Sequence, residues 1–230
     1  MTPAETPAET PADTSRSEAQ PAASNRLEGQ PQAWLHARAR LMPRLLIQAP
    51  PWVRGVFDHA WAPMEALARQ VSCLPPSLLD FLLTCTGGYV AICAGESRYV
   101  AGAAPLRPEQ VSNVAFVSVE DLAADNERPL HVIGHLVDHH LGCAGEPNAV
   151  WLSEGGGVIP GWHEAGARLL RIFALEYGVD EIAQSNSREY LAQSLAHYCR
   201  DRRRLNVADP QICKWFRSTL WNESFWQRKT

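Results

Sequence analysis

The residues with the most chemical promise lie in one stretch, His131-Val-Ile-Gly-His135-Leu-Val-Asp138-His139-His140-Leu-Gly142. On a helix, side chains four apart share a face, so His131 and His135 would present both imidazoles to one point. Two histidines so placed are how a helix grips a single zinc ion, and the hydrolytic version of the pattern is H-E-x-x-H, with the glutamate as general base. Here the second position is Val132. The ligand spacing is present and the proton acceptor is not. At about 100° per residue, Asp138 and His139 fall near the same face.

The element that must carry these groups reads as one helix. Asn126 suits the N-cap, Glu127 the first turn, and Gly142 a stop just past the end. Leu130, Val132, Ile133, Leu136, Val137 and Leu141 cover most of the remaining circumference, which predicts burial nearly all round. Buried histidines and carboxylates are costly unless something binds them. His140 points into the apolar arc and is expected to hydrogen-bond a backbone carbonyl. His36, His59 and His163 read as ordinary surface or helix-end residues, and His197 as structural or as a neighbour of the site.

Ahead of this helix, residues 31–47 read as a helix kinked at Pro43. Asp58 to Cys73 and Ser77 to Thr86 give two more by apolar spacing. Tyr89–Cys93, Tyr99–Ala101 and Val114–Val119 are strand candidates, so a small sheet precedes the histidine helix. Behind it come Trp151 and the loop Gly155-Gly156-Gly157, then a helix from Trp162 to Tyr177 and a loop to Ser185. Asn186 caps a helix from Ser187 to Arg200, with Glu189 three residues on. Its alanines permit close approach to another helix, and Glu189 would point into the gap. Asp209-Pro210 starts a terminal helix, Ile212 to Trp221.

The chain has 230 residues, of which 46% are hydrophobic, and a net charge of −4. That predicts a disordered tail over 1–30, rich in Pro, Ala, Glu and Thr with Thr-Pro-Ala-Glu repeated, followed by a single domain over 31–230. The tail reads as a linker or solubilising segment, or as a leaderless export signal. The charge balance excludes a nucleic-acid footprint, and no apolar run is long enough for a membrane span. No cleavable signal peptide is evident, so a cytoplasmic location or export without one is expected. The six cysteines (73, 85, 93, 143, 199 and 213) form no C-x-x-C pair. They are expected to be reduced and mostly buried.

Taken together, Leu74-Pro-Pro-Ser-Leu-Leu-Asp-Phe-Leu-Leu, His131-x-x-Gly-His135-x-x-Asp138-His139 and Glu189-Tyr-Leu-Ala within residues 76–221 and just before them resemble the zincin metallopeptidases. The likeness is to the domain type of anthrax lethal factor and the Pro-Pro endopeptidases. That resemblance implies an α+β, mostly helical zincin-like fold, with the site between a lobe holding the small sheet and a helical lobe. It implies zinc held by His131, His135 and Glu189, with Asp138 orienting a histidine and His139 and Gln193 close by. Three departures stand out: Val132 replaces the base, Gln193 stands where an acid is common, and Ile182 where a tyrosine is common.

General-base assistance is worth about 10²–10⁴ in rate. Losing an oxyanion donor costs roughly another 10²–10³. The leading expectation is therefore a zinc-binding, catalytically impaired peptidase-like protein that holds a peptide or protein in the former substrate cleft. An active metallopeptidase with a relocated base (Glu154, Glu164 or His139) is the second reading, and a metal-free interaction domain the third.

Overall fold

The computed structural model describes residues 31–106 and 109–227. The expected tail over 1–30 lies outside the described residues. The protein is an α+β, mostly helical fold around a four-stranded mixed sheet.

The chain opens with helix α1 over residues 31–38, which buries Trp34 and Leu35 completely or nearly so. The helix expected to continue to residue 47 does not. Residues Ala39–Leu41 form strand β1, followed by a single helical turn, α2, over Leu45–Gln48. The reason is non-local: β1 pairs in parallel with β2 (Tyr89–Cys93), and that pairing overrides the local helical preference. Helices α3 (Pro51–Val56), α4 (Ala62–Val71) and α5 (Pro76–Thr84) each carry a proline in the first turn, where its missing N–H costs nothing.

Strands β3 (Arg98–Leu106) and β4 (Glu109–Ser118) form an antiparallel hairpin, with the register interrupted between Val100 and Ala103. Strand order is β1-β2-β4-β3, so β3 is an edge strand. Side-chain alternation divides the sheet: Val90, Ile92, Ala115 and Val117 join the main core, while Ala91, Cys93, Val114 and Phe116 form a smaller cluster on the opposite face.

Ser118 caps helix α6 (Val119–Ala123), which leads into α7 (Arg128–Cys143), the helix of the histidines. Asn126 does serve its start, accepting from the Arg128 amide at 3.0 Å, although Glu127 occupies the N-cap position. Gly142 does not stop the helix. The stop is Ala144, in the left-handed region at φ 56°, followed by Gly145 at φ 78°. Gly142 is required for another reason: a Cβ there would stand 2.2 Å from the Leu152 amide nitrogen, so only glycine lets the 151–152 backbone cross α7.

A 3₁₀ turn over Leu152–Glu154 precedes α8 (Pro160–Phe173). The expected loop before Asn186 contains a short helix, α9 (Glu181–Ser185), capped by Asp180 through the Ala183 amide at 2.9 Å. Helix α10 covers Ser187–Arg200 with Asn186 as its cap, as expected. The chain closes with α11 (Arg202–Ala208), α12 (Pro210–Ser218) and α13 (Glu223–Gln227). No helix among the described residues is long and apolar enough to cross a membrane.

The cysteines correct one expectation. Cys73, just beyond α4, and Cys199, in the last turn of α10, form a disulfide with Cα atoms 5.6 Å apart. They are 126 residues apart in sequence, and only the tertiary packing of α4 beside the end of α10 makes the pairing visible. Cys85, Cys93, Cys143 and Cys213 are free thiols, with Cys93 and Cys213 buried.

Candidate metal centre

Helices α7 and α10 pack closely enough to bring the three expected ligands together. His131 Nε2 lies 2.8 Å from Glu189 Oε2, and His135 Nε2 lies 3.4 Å from Glu189 Oε1. The three ligand atoms fall within 4.8 Å of one another, a His/His/Glu group that could hold a metal ion. Three donors at about 2.1 Å from one tetrahedral ion would stand roughly 3.4 Å apart, so the group needs only small side-chain adjustments to accept one. Both histidines are largely buried while Glu189 is partly exposed. In this arrangement each imidazole donates its Nε2–H to the carboxylate. Those bonds, from His131 first and His135 second, hold the Glu189 carboxyl far below the usual carboxylate range. Burial pushes the His135 pKa down, and the Glu189 bond only partly offsets that. The Nδ1 of His131 is buried without a hydrogen-bond partner among the described residues, which supply no outer anchor of the kind that usually fixes a ligand imidazole.

The other expected neighbours are placed as follows. Asp138 is fully buried, and its two oxygens accept from Ser153, the amide at 2.8 Å and the hydroxyl at 2.6 Å. It therefore ties α7 to the 3₁₀ turn instead of reaching an imidazole. Burial pushes its pKa up to about 7 against the pull of those bonds. His139 donates its Nε2–H to the Glu146 carbonyl at 3.0 Å and accepts from the Tyr99 hydroxyl at Nδ1, 2.8 Å away. Gln193 donates to Asp180 Oδ2 at 2.9 Å and lies 3.4 Å from His197 Nε2. His140 does not bond a carbonyl: both ring nitrogens are buried without partners among the described residues, and burial pushes its pKa down to about 4. A Cβ on Gly88 would stand 3.0 Å from the His140 Nε2 and one on Gly145 2.7 Å from its Cε1, so glycine at both positions leaves room for the ring.

The group opens into a cleft of about 1000 Å³ lined by residues that include Tyr99, Val132, Trp151, Glu154, Ile182 and Arg188. Val132 is otherwise part of the apolar core. Glu154 accepts two bonds from Arg188, at 2.9 and 3.0 Å, and one from the Trp151 amide at 3.0 Å. Burial alone would raise the Glu154 pKa, but those bonds outweigh it and hold the carboxyl below its ordinary value. Glu164 is exposed on α8 and is not among the cleft residues.

Three contributors escaped the sequence reading. Tyr99 enters from the edge strand β3, its ring centroid 6.3 Å from that of His135. Arg188 lies over Trp151, with Cζ 4.1 Å from the ring centroid. Arg128 lines the cleft from the first turn of α7. Nothing local marks Tyr99, whereas the position of Arg188 beside Glu189 was a usable signal. Tyr177 is half exposed and does not line the cleft, and the Tyr190 hydroxyl is spent on Asp209 at 2.5 Å.

Neither protein-family models nor curated proteins give a match to this chain.

Proposed function

We propose that the protein is a zincin-type metallopeptidase relative that binds zinc through His131, His135 and Glu189 and acts by holding a peptide or protein segment, not by efficient hydrolysis. The observation that carries this reading is the company Val132 keeps: an aliphatic side chain lines the same cleft as a convergent His/His/Glu group. Two imidazoles and a carboxylate suit zinc, which leaves a fourth position open. Zinc held there would supply Lewis-acid polarisation of a bound carbonyl. Hydrolysis also needs a proton acceptor within hydrogen-bond reach of the reacting water.

The expected stand-ins, Glu154, His139 and Glu164, do not provide one. Glu154 has its carboxylate committed to Arg188 and to the Trp151 amide. His139 has both nitrogens engaged. These commitments weigh against the relocated-base alternative. What remains is a binding surface: Tyr99, Trp151 and Ile182 supply apolar area, and edge strand β3 offers unpaired backbone to an extended segment.

The test uses protein purified without a histidine tag. Elemental analysis is expected to give close to one zinc per chain after metal loading. A peptide library incubated with the loaded protein is expected to be retained uncleaved. Zinc-dependent cleavage at ordinary enzymatic rates would overturn the binding reading, and absence of stoichiometric metal would overturn the site.

A further inference from the structure

The hydrogen-bond inventory of the cleft is lopsided. Three glutamates and three arginines line it: Glu154, Glu181, Glu189, Arg98, Arg128 and Arg188. Two of the three carboxylates are already spent, Glu189 on the histidines and Glu154 on Arg188. The guanidinium groups are less fully committed. Each carries five N–H donors. Arg188 uses its Nε–H and one on Nη2 for Glu154, at 2.9 and 3.0 Å, and the other three have no partner among the described residues. Its side chain remains 41% exposed. The group is also rigidly held, placed over Trp151 and gripped by Glu154 along one edge. A planar fork fixed in this way loses little freedom when it receives a second carboxylate. The Arg128 guanidinium has no ion pair among the described residues, and its side chain is exposed. Arg98 adds charge but not a free fork, because it lies over Phe116 and donates to the Glu96 carbonyl.

We infer that the cleft selects acidic peptides, with the free edge of Arg188 and the Arg128 guanidinium receiving a carboxylate of the bound segment. This rests on the reading of the cleft as a peptide-binding site. Glu154 and Trp151 then act as positioning residues that aim Arg188. Glu181 is the lining carboxylate without an ion pair or hydrogen bond among the described residues, and it sets a local limit on how far the acidic character can extend.

A positional-scanning decapeptide library, retained on immobilised full-length protein, tests this. Pools with Asp or Glu fixed at one or two positions are expected to be retained about tenfold more than the matching Asn or Gln pools, the size of one charge-assisted hydrogen bond. The preference is expected to shrink in 300 mM salt. Arg188→Gln is expected to bring retention of the acidic pools down towards that of the matching amide pools. If that variant does not fold, Arg188→Lys carries the test: it keeps the charge, loses the planar fork, and is expected to lose most of the discrimination. Equal retention of acidic and amide pools overturns the inference while sparing the peptide-binding reading. An acidic preference that survives in both the Arg188 and Arg128→Gln variants also overturns it. Retention of no pool at all removes the peptide-binding reading and this inference together.

Discussion

Gly134 and Ala192 meet backbone to backbone, and that contact sets the distance between the two helices of the metal group. A Cβ placed on Gly134 would stand 2.7 Å from the Ala192 Cα and 3.0 Å from its carbonyl oxygen. No side chain can rotate away to relieve this, so α7 and α10 must part. Gly134→Ala is expected to cost about 1–3 kcal/mol, the usual range for overpacking. It should also weaken zinc binding, because Glu189 rides on the helix that is pushed away. Urea denaturation with and without zinc checks both. An unchanged midpoint and an unchanged zinc titration would mean that the helices are not set by this contact.

Two carboxylates, one partly exposed and one fully buried, give the metal-free protein a stability profile with opposite limbs. Glu189 has its pKa lowered by bonds from His131 and His135, so its contribution is present above the ordinary carboxylate value and lost as pH falls below it. Asp138 has its pKa raised to about 7 by burial, so the folded state holds a proton that the unfolded chain has released. Its contribution is present below its unfolded value of 3.8 and is lost as pH rises towards 7. Asp138→Asn keeps an acceptor for the Ser153 amide and gains a donor for its hydroxyl. It is expected to flatten the decline between about pH 4 and 7. Glu189→Gln should flatten the acid limb and leave the neutral one alone. Thermal melts of metal-free protein across that range separate the two.

The disulfide carries a third prediction and marks a limit of sequence reading. Closing a loop that spans 126 residues is worth about 2–5 kcal/mol. Reduction with a phosphine is expected to lower Tm by roughly 5–15 °C, at about 2–4 °C per kcal/mol for a chain of this size. Cys73→Ser should match the reduced protein and show no further loss on reduction. A Tm insensitive to reductant would show that the staple adds nothing to the packing already around it.

What the sequence revealed and what it concealed follow from the range of the interactions. Helix α10 was legible to the residue because its cap is local: Asn186 accepts from the Glu189 amide at 3.0 Å. The Glu189 carboxylate, which a capping box would send back to the cap, instead goes to the histidines. The metal group was legible because two ligands share one helix turn. Strand β1, the Cys73–Cys199 pair and Tyr99 were not legible, since each depends on a partner at least 40 residues away in sequence. Gly142 was misread because glycine at a helix end and glycine under a crossing backbone look alike in sequence. Asp138 was expected to orient an imidazole, but Ser153, 15 residues on, takes both its oxygens.

Restoring the proton acceptor is the most demanding test of the site. Val132 is 2% exposed and packs in the main core, yet it also lines the cleft. A glutamate there must either extend into the cleft or remain buried and neutral. In the metal-free protein the cost of burial dominates, and Val132→Glu is expected to lose stability. Zinc changes the balance, because a cation at His131, His135 and Glu189 favours a charged carboxylate one residue from the first ligand. Zinc should therefore recover more stability in the variant than in the native protein. Hydrolysis of library peptides should rise by about 10²–10⁴, the worth of general-base assistance, and vanish on chelation. A variant that binds zinc, regains stability and still cleaves nothing would mean that the cleft no longer holds a peptide in a reactive pose, leaving binding as the whole of its function.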